Sequence, residues 1–183
     1  MDRHLRTIAS AGLVVGALLG AAGTFAPTSA LRGLAWGIDG IALIVACALL
    51  TLHYFRRGQD AVAAGFLVFA VGEGLIVSGA AMELAASVPS FGAGAGLWAA
   101  ALALISIPRL FPLLVRGFGL IASALFAITS LQVFAGVPLQ PTSAPLPFFA
   151  YPFLVATLLG WAWGLLKSNT DGDTRSADQQ SSS

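Results

Sequence analysis

Two carboxylic acids, Asp39 and Glu73, stand far inside long apolar runs of a 183-residue chain. Glu73 lies between two glycines in the stretch FAVGEGLIVSG, at residues 69–79. Burial in a low dielectric disfavours a charged carboxylate, and a second carboxyl nearby disfavours double ionisation. We therefore expect at least one of the two acids to be protonated near neutral pH. Acids of this kind inside a membrane exchange protons or coordinate a polar solute in an internal cavity.

The spacing along the chain places both acids at the same depth. Asp39 precedes His53 by 14 residues, and Glu73 follows Asp60 by 13 residues. At ~1.5 Å per helical residue, each acid lies about 20 Å from the same end of its helix. The two helices are joined by a short connection and must be antiparallel neighbours, so the carboxyls can meet if their faces turn toward each other. No lysine or arginine is predicted at that depth.

These residues also have purely structural interpretations. A protonated acid can form an interhelical hydrogen bond that fixes packing and contributes about 0.6–2 kcal/mol. His53 lies four turns from Asp39 on nearly the same face and is a candidate proton relay, but beside Tyr54 it also suits an interface anchor. Trp98 is predicted to be a packing residue, and Glu83 a hydrated acid near the membrane boundary.

The elements that hold these residues are predicted to be membrane-spanning helices. The chain is 57% hydrophobic and 9% charged, with a mean hydropathy of +0.88, whereas a soluble domain is about 25% charged. So little charge cannot cover a hydrated surface, and the chain must be solvated by a lipid bilayer. A transmembrane helix needs roughly 20 mostly apolar residues. Six stretches qualify: 7–25, 34–54, 61–84, 88–107, 113–135 and 148–166.

We therefore predict an all-α protein, a compact bundle of six transmembrane helices in one domain at residues 1–167, followed by a disordered cytoplasmic tail at 168–183. All of the nine Lys and Arg residues except Arg32 fall at the termini or in connections on the same side of the membrane. This bias predicts that both termini are cytoplasmic in a multi-pass protein of a bacterial inner membrane. The first stretch is alternatively a cleaved signal peptide, which would leave five spans in the same orientation.

Glycines at helical spacing predict where helices approach closely, since small residues let backbones pack together in lipid. They recur every four residues in the first and sixth spans and every seven residues in the third. We predict that they form packing faces. The alternative for the first span is contact with a second copy of the chain or with a larger membrane complex. The predicted packing residues are Gly12, Gly16, Gly20, Gly65, Gly72, Gly79, Gly160 and Gly164.

Counting residues argues against several kinds of site. The two histidines, His4 and His53, and the single cysteine, Cys47, do not provide a bis-histidine haem, a zinc site or an internal disulfide. The sequence has no GxSxG or HExxH motif, and its one lysine, Lys167, stands at a helix end. We therefore expect no cofactor, no metal and no enzyme activity. A net charge of +1 without a basic cluster argues against a nucleic-acid partner.

Three functions are compatible with this pattern. The favoured one is a small transporter or channel component in which Asp39 and Glu73 line a polar site. The second is a structural or assembly subunit that docks on a larger complex through the glycine face of the first span. The third is an envelope-stress regulatory protein whose tail recruits a partner. In size and in its glycine-rich hairpins, the chain is similar to small six-helix bacterial membrane families such as the HdeD-like acid-stress proteins, a similarity of class that implies no activity.

Overall fold

The computed structural model of the chain describes residues 3–80 and 83–181, and the side chains of residues 3–79 and 83–167. The described residues form six helices that are long and apolar enough to cross a membrane. This confirms the predicted all-α architecture of a multi-pass membrane protein. A short 3₁₀ turn, Phe148–Ala150, precedes the last helix. The helices are α1 (Arg3–Thr24), α2 (Ser29–Phe55), α3 (Asp60–Ala80), α4 (Val88–Ser106), α5 (Leu113–Phe134) and α6 (Tyr151–Ser181).

The largest differences between the helices and the predicted stretches are at the start of α2 and at the end of α6. α2 begins at Ser29 rather than at residue 34, because the Thr28 hydroxyl accepts a hydrogen bond from the Leu31 N–H (3.3 Å) and caps the helix. The membrane-spanning segment of α6 ends at Lys167, but the helix continues to Ser181 through the region for which the sequence predicts a disordered tail. An isolated polar helix is marginal in water, so disorder of the tail in solution stays a prediction.

The six helices form a closed ring in chain order. Each helix packs on the one before it and the one after it, and α6 returns to pack on α1. Helices on opposite sides of the ring meet through long side chains: the rings of Phe66 in α3 and Trp161 in α6 have centroids 5.0 Å apart. We call the end of the ring that carries the α2–α3 and α4–α5 connections the basic end, because seven of the eight cationic side chains that the structure describes lie on that side. The other three connections lie at the opposite end.

Aromatic side chains fill the ring toward its basic end. Phe66 and Trp161 are fully buried there, and Tyr54 stacks on Phe66 with a centroid distance of 5.5 Å and an interplanar angle of 6°. Phe111, from the α4–α5 connection, contacts Tyr54 and Trp161, each at 6.1 Å. Further into the membrane, Phe69 also contacts Trp161 at 6.3 Å. The basic half of the bundle therefore has a solid aromatic core.

The glycine stripe of α3 lies against α4. A Cβ atom added to Gly72 would lie 2.9 Å from the Leu97 Cβ and 3.1 Å from the Gly94 carbonyl oxygen. In the reverse direction, a Cβ on Gly94 would lie 2.8 Å from the Gly72 carbonyl oxygen. Gly65 and Gly79 meet α4 on either side of this crossing. The two backbones therefore touch at a point where any side chain would separate them.

The glycine stripe of α1 lies against α2. A Cβ on Gly12 would lie 2.8 Å from the Ala42 carbonyl oxygen, and Gly16 packs against the Leu43 side chain. Gly20 faces the carboxyl group of Asp39 on α2. α2 covers this face of α1. The face is therefore not free to contact a second copy of the chain or a larger membrane complex, the alternatives that the sequence left open. Since α1 forms one wall of the ring, its cleavage as a signal peptide would open the bundle.

The two glycines of α6 have different surroundings. A Cβ on Gly160 would lie 2.6 Å from a methyl group of Val115 in α5, so this residue lies in a helix contact. A Cβ on Gly164 would meet no atom of the described residues within 4 Å. The predicted packing role is therefore not found at Gly164, because it lies one turn beyond Gly160, where α5, which begins at Leu113, no longer runs beside α6.

Arg116, near the start of α5, caps the end of α4. Its Nε donates to the Ser106 carbonyl oxygen (2.8 Å) and its Nη2 to that of Ile107 (3.0 Å), near the C-terminus of α4, where carbonyls lack helical partners. A lysine keeps the charge but cannot reproduce the planar fork of donors. We expect Arg116→Lys to lower the free energy of unfolding by about 1 kcal/mol, measured as a lower Tm in detergent. Arg109→Lys, at an exposed site in the same connection, should leave Tm unchanged; equal Tm values for both variants would contradict the assignment.

Candidate functional site

A cavity of about 630 Å³ opens at the end of the ring opposite the basic end. Its described mouth residues come from the α3–α4 and α5–α6 connections and from the facing ends of α1 and α2. Five helices contribute to its wall, and the described lining residues include none from α5. The cavity therefore faces one side of the membrane. Its polar mouth residues are Thr24, Ser29, Arg32, Glu83, Ser87 and Gln140.

The cavity reaches about halfway across the membrane. Along α2 its lining runs from Arg32 at the mouth to Leu43, a rise of about 16 Å in a hydrocarbon layer of about 30 Å. Beyond this point α2 continues toward the basic end with Ala46, Cys47 and Leu50, all fully buried. The cavity therefore ends on a floor that is largely apolar.

Asp39 lies in the cavity wall between α2 and α1. Two glycines of α1 leave room for its carboxyl: a Cβ on Gly20 would lie 2.7 Å from Asp39 Oδ2, and one on Gly16 would lie 3.1 Å from Oδ1. The residue is 8% exposed and lines the cavity. Its Oδ1 has no hydrogen-bond partner among the described residues. One acceptor atom of the acid is thus left for a proton, a water molecule or a ligand.

Glu73 enters the same cavity from α3. Its Oε1 lies beside Gly40 of α2, where an added Cβ would be 3.3 Å away, and the residue is 2% exposed. Its Oε2 has no hydrogen-bond partner in the described part of the chain. Gly40 directly follows Asp39, so Glu73 lies close to Asp39. The two acids line one cavity, and their charges interact. The fold thus brings together the two acids that the sequence places at matched depth.

Two aromatic side chains complete the deep part of the cavity. Trp98 of α4, 6% exposed, turns its indole N–H toward Glu73 without completing a hydrogen bond. Tyr151 of α6 is near enough to both acids to interact with their charges, and its hydroxyl donates to the Pro141 carbonyl oxygen (2.9 Å). The deep part therefore presents two acids and one N–H donor whose hydrogen-bonding capacity is not met by the residues described.

Arg32 is the one cationic residue among the described residues that line the cavity, and it lies at the mouth. Its Nη2 donates to the Ala26 carbonyl oxygen (3.4 Å), and its guanidinium lies 5.9 Å from the centroid of the Trp36 ring. Trp36 in turn donates from Nε1 to the Gly20 carbonyl oxygen (3.2 Å). The guanidinium is thus held at the membrane boundary. Because Arg32 stays at the boundary, it does not neutralise the two carboxyls deep in the low dielectric. These carboxyls therefore need a proton or an added cation.

His53 does not reach this cavity. It is buried at the basic end of α2, with its ring 5.0 Å from that of Tyr54, and Arg6 and Arg57 are charged groups near it. The buried residues of α2 between His53 and Asp39 carry no acid or base apart from one thiol. The fold therefore separates the predicted relay from the acid pair, with the aromatic core beside it.

Sequence reasoning missed three parts of the site: Trp98, Tyr151 and Gly40. Trp98 does pack, stacked on Phe69 with a centroid distance of 5.7 Å, but its N–H edge faces Glu73. Gly40 directly follows Asp39, and a glycine beside an intramembrane acid is the signal that could have indicated it. Tyr151 follows a proline-rich connection and carries no sequence signal for a place in the cavity.

Comparisons with family profiles, curated proteins and solved structures find no match to this chain. The site combines a cavity open on one side, a pair of buried acids and a nearby N–H donor that has no partner among the described residues.

Proposed function

We propose that the protein is a small transporter or channel component whose acid pair handles protons or a cationic solute. The observation that carries this proposal is the placement of Asp39 and Glu73, both buried, at the deep end of a cavity open to one side. Buried polar atoms without partners are rare where their role is structural, because each costs free energy. Acids inside membrane proteins are also typical of ion and substrate paths.

The proposal includes an orientation in a bacterial inner membrane. With the basic end in the cytoplasm, the positive-inside rule is satisfied and the cavity opens away from the cytoplasm. The aromatic core around Tyr54, Phe66 and Trp161 then closes the cytoplasmic half. In this proposal the structure represents an outward-open arrangement, and passage of a solute requires the aromatic core to part.

A regulatory membrane protein is the second candidate, and the closed aromatic core is the observation that favours it. A protein that binds a ligand without moving it across the membrane needs a single opening. The cavity would then be a sensing site, and the segment after Lys167 would contact a partner. An assembly subunit has less support, because α2 already covers the glycine face of α1 through which it was predicted to dock.

Proton movement tests the transporter proposal. We expect liposomes that contain the purified protein and internal pyranine to dissipate an imposed pH gradient faster than empty liposomes. Asp39→Asn and Glu73→Gln each remove an ionisable group, so both should reduce the rate to that of empty liposomes. Asp60→Asn makes the same chemical change at the exposed start of α3 and should keep the wild-type rate. A wild-type rate no faster than that of empty liposomes, or a rate that survives both substitutions, would count against transport.

A further inference from the structure

We propose that the ligand of this cavity is a monovalent organic ammonium ion with an apolar body, which binds in exchange for a proton of the acid pair. This inference rests on the proposed function and adds the chemical class of the solute. Three features of the described residues support it: the uncompensated acids, the apolar walls, and the small number of oxygen ligands at the deep end.

The deep end of the cavity has acid groups without a compensating cation. Asp39 Oδ1 and Glu73 Oε2 have no hydrogen-bond partner in the described chain, and the guanidinium of Arg32 is held at the mouth by Ala26 and Trp36. An ammonium group carries the missing positive charge and donates up to three hydrogen bonds. An anion would be repelled, and a neutral solute would leave the carboxylate charge uncompensated.

The remaining wall of the cavity suits an apolar body. Its volume of about 630 Å³ falls within the range of about 300–1,000 Å³ that is usual for small-molecule sites. Alkyl or aryl groups gain roughly 25 cal/mol for each Å² that they bury against such walls, and aromatic rings also attract a cation. The apolar and aromatic side chains that line the cavity include Leu43, Val77, Phe91, Trp98, Leu154 and Leu158.

A divalent metal ion fits the same acids poorly. Calcium and magnesium take about six or more oxygen ligands, from carboxylates, carbonyls or retained water. The deep part of the described cavity offers the carboxyls of Asp39 and Glu73, and its further side-chain oxygen, the neutral phenol of Tyr151, is not among the usual ligands of these ions. The apolar walls offer few hydrogen-bond partners to the water molecules that would have to complete the coordination shell. A single ammonium group needs fewer partners and is matched by two carboxyls.

Binding exchanges one cation for one proton. In the empty cavity, a proton on the acid pair offsets part of its charge. When the ammonium ion enters, one carboxyl O–H bond breaks and the proton leaves to water at the mouth, so the net charge of the site is unchanged. The Trp98 N–H, which faces Glu73, stabilises the negative charge of the Glu73 carboxylate after the proton has left.

Few other ionisable groups surround the acid pair. Cys47 of α2 and Tyr151 of α6 interact electrostatically with Glu73, and Arg32 and Glu83 stand at the mouth. Among the described lining residues, α1, α4 and α5 contribute no ionisable side chain. A thiol and a phenol are ordinarily neutral at pH 7 and Arg is always charged. A proton released from the deep cavity therefore comes from the acid pair.

Calorimetry of the full-length protein in a non-ionic detergent tests this inference with three probes of similar shape: benzylamine, benzyl alcohol and benzoate. We expect benzylamine to bind at least about tenfold more tightly than the other two, because only it pairs with the acids. Its binding should release one proton, so that the measured heat depends on the ionisation enthalpy of the buffer. Its affinity should rise from pH 6 to pH 8, by at most about tenfold per unit of pH, since one proton leaves for each cation bound.

Substitutions assign the binding to the acid pair. Glu73→Gln should abolish benzylamine binding and proton release, and Asp39→Asn should weaken the affinity at least about tenfold. Asp60→Asn should retain the wild-type affinity. Elution as a single species in size-exclusion chromatography shows that each variant is folded. If benzyl alcohol binds wild-type protein as tightly as benzylamine, the inference is overturned without reference to any variant.

This inference and the proposed function fail in different ways. If benzylamine binds in the predicted manner but wild-type liposomes show no proton flux, the ligand class stands and transport does not. If Glu73→Gln removes proton flux but wild-type protein binds no benzylamine, transport stands and the ammonium ligand is overturned.

Discussion

Gly72→Leu is expected to lower the free energy of unfolding by at least about 2 kcal/mol, since inserting a side chain into a filled contact forces the backbones apart. The first atom of the new side chain would lie 3.1 Å from the Gly94 carbonyl oxygen, which belongs to a helix backbone and cannot rotate away. α3 must then move away from α4, and Glu73 moves with it, away from Trp98. We expect a large drop in Tm in detergent and, at temperatures where the variant stays folded, weaker benzylamine binding.

Gly74→Leu is the matched control for this substitution. It lies two residues away on the same helix, and an added Cβ would meet no atom of the described residues within 4 Å. Leucine also favours a helix over glycine by about 0.8–1 kcal/mol, so Tm should stay the same or rise. Equal losses of stability in the two variants would show that the α3–α4 crossing is not the cause, and would contradict the contact of Gly72 with Gly94.

The stretch FAVGEGLIVSG shows what the sequence predicts well. Length and hydropathy give all six spans, because a helix that crosses lipid must be long and apolar whatever its neighbours are. The seven-residue spacing of Gly65, Gly72 and Gly79 defines one stripe on α3, and α4 lies against it. The adjacent Glu73 points about 100° away from that stripe, because each helical residue turns by that angle. The glycine and the acid therefore have separate contacts, one with α4 and one with the cavity.

The closure of the ring and the cavity within it could not be predicted in the same way. In a soluble bundle, polar residues mark the outer face of each helix, but in lipid both faces are apolar. Phe69 and Val71 are two residues apart and both apolar, yet the first is fully buried and the second is 54% exposed. The rotation of each helix is set by packing of small residues and polar contacts between helices, which hydropathy does not encode. The N–H edge of Trp98 faces Glu73 for this reason, and nothing in the sequence around Trp98 indicates it.

Removal of the Glu73 carboxyl changes the free energy of unfolding, and the sign of this change distinguishes a functional role of the acid pair from a structural one. If Glu73 serves to hold helices together, its loss removes an interhelical hydrogen bond and costs about 0.6–2 kcal/mol. If Glu73 instead serves binding, its buried Oε2, which has no partner among the described residues, lowers the free energy of unfolding, and the acid is retained because function requires it. The second description matches the geometry of Glu73.

We therefore expect Glu73→Met, a substitution of similar size, to raise the free energy of unfolding by about 1–3 kcal/mol, the scale on which an unpaired buried polar group is costly. The measurement is Tm in detergent at pH 7, together with benzylamine binding, which should be lost. Ser130→Ala is the control with the opposite sign, because the Ser130 hydroxyl donates to the Gly92 carbonyl oxygen of α4 at 2.8 Å and its removal should lower Tm. A drop in Tm for Glu73→Met comparable to that of Ser130→Ala would make Glu73 a structural residue like Ser130. A gain in stability with loss of binding would instead show that the protein retains this acid at the expense of its stability, which is the behaviour expected of a binding site.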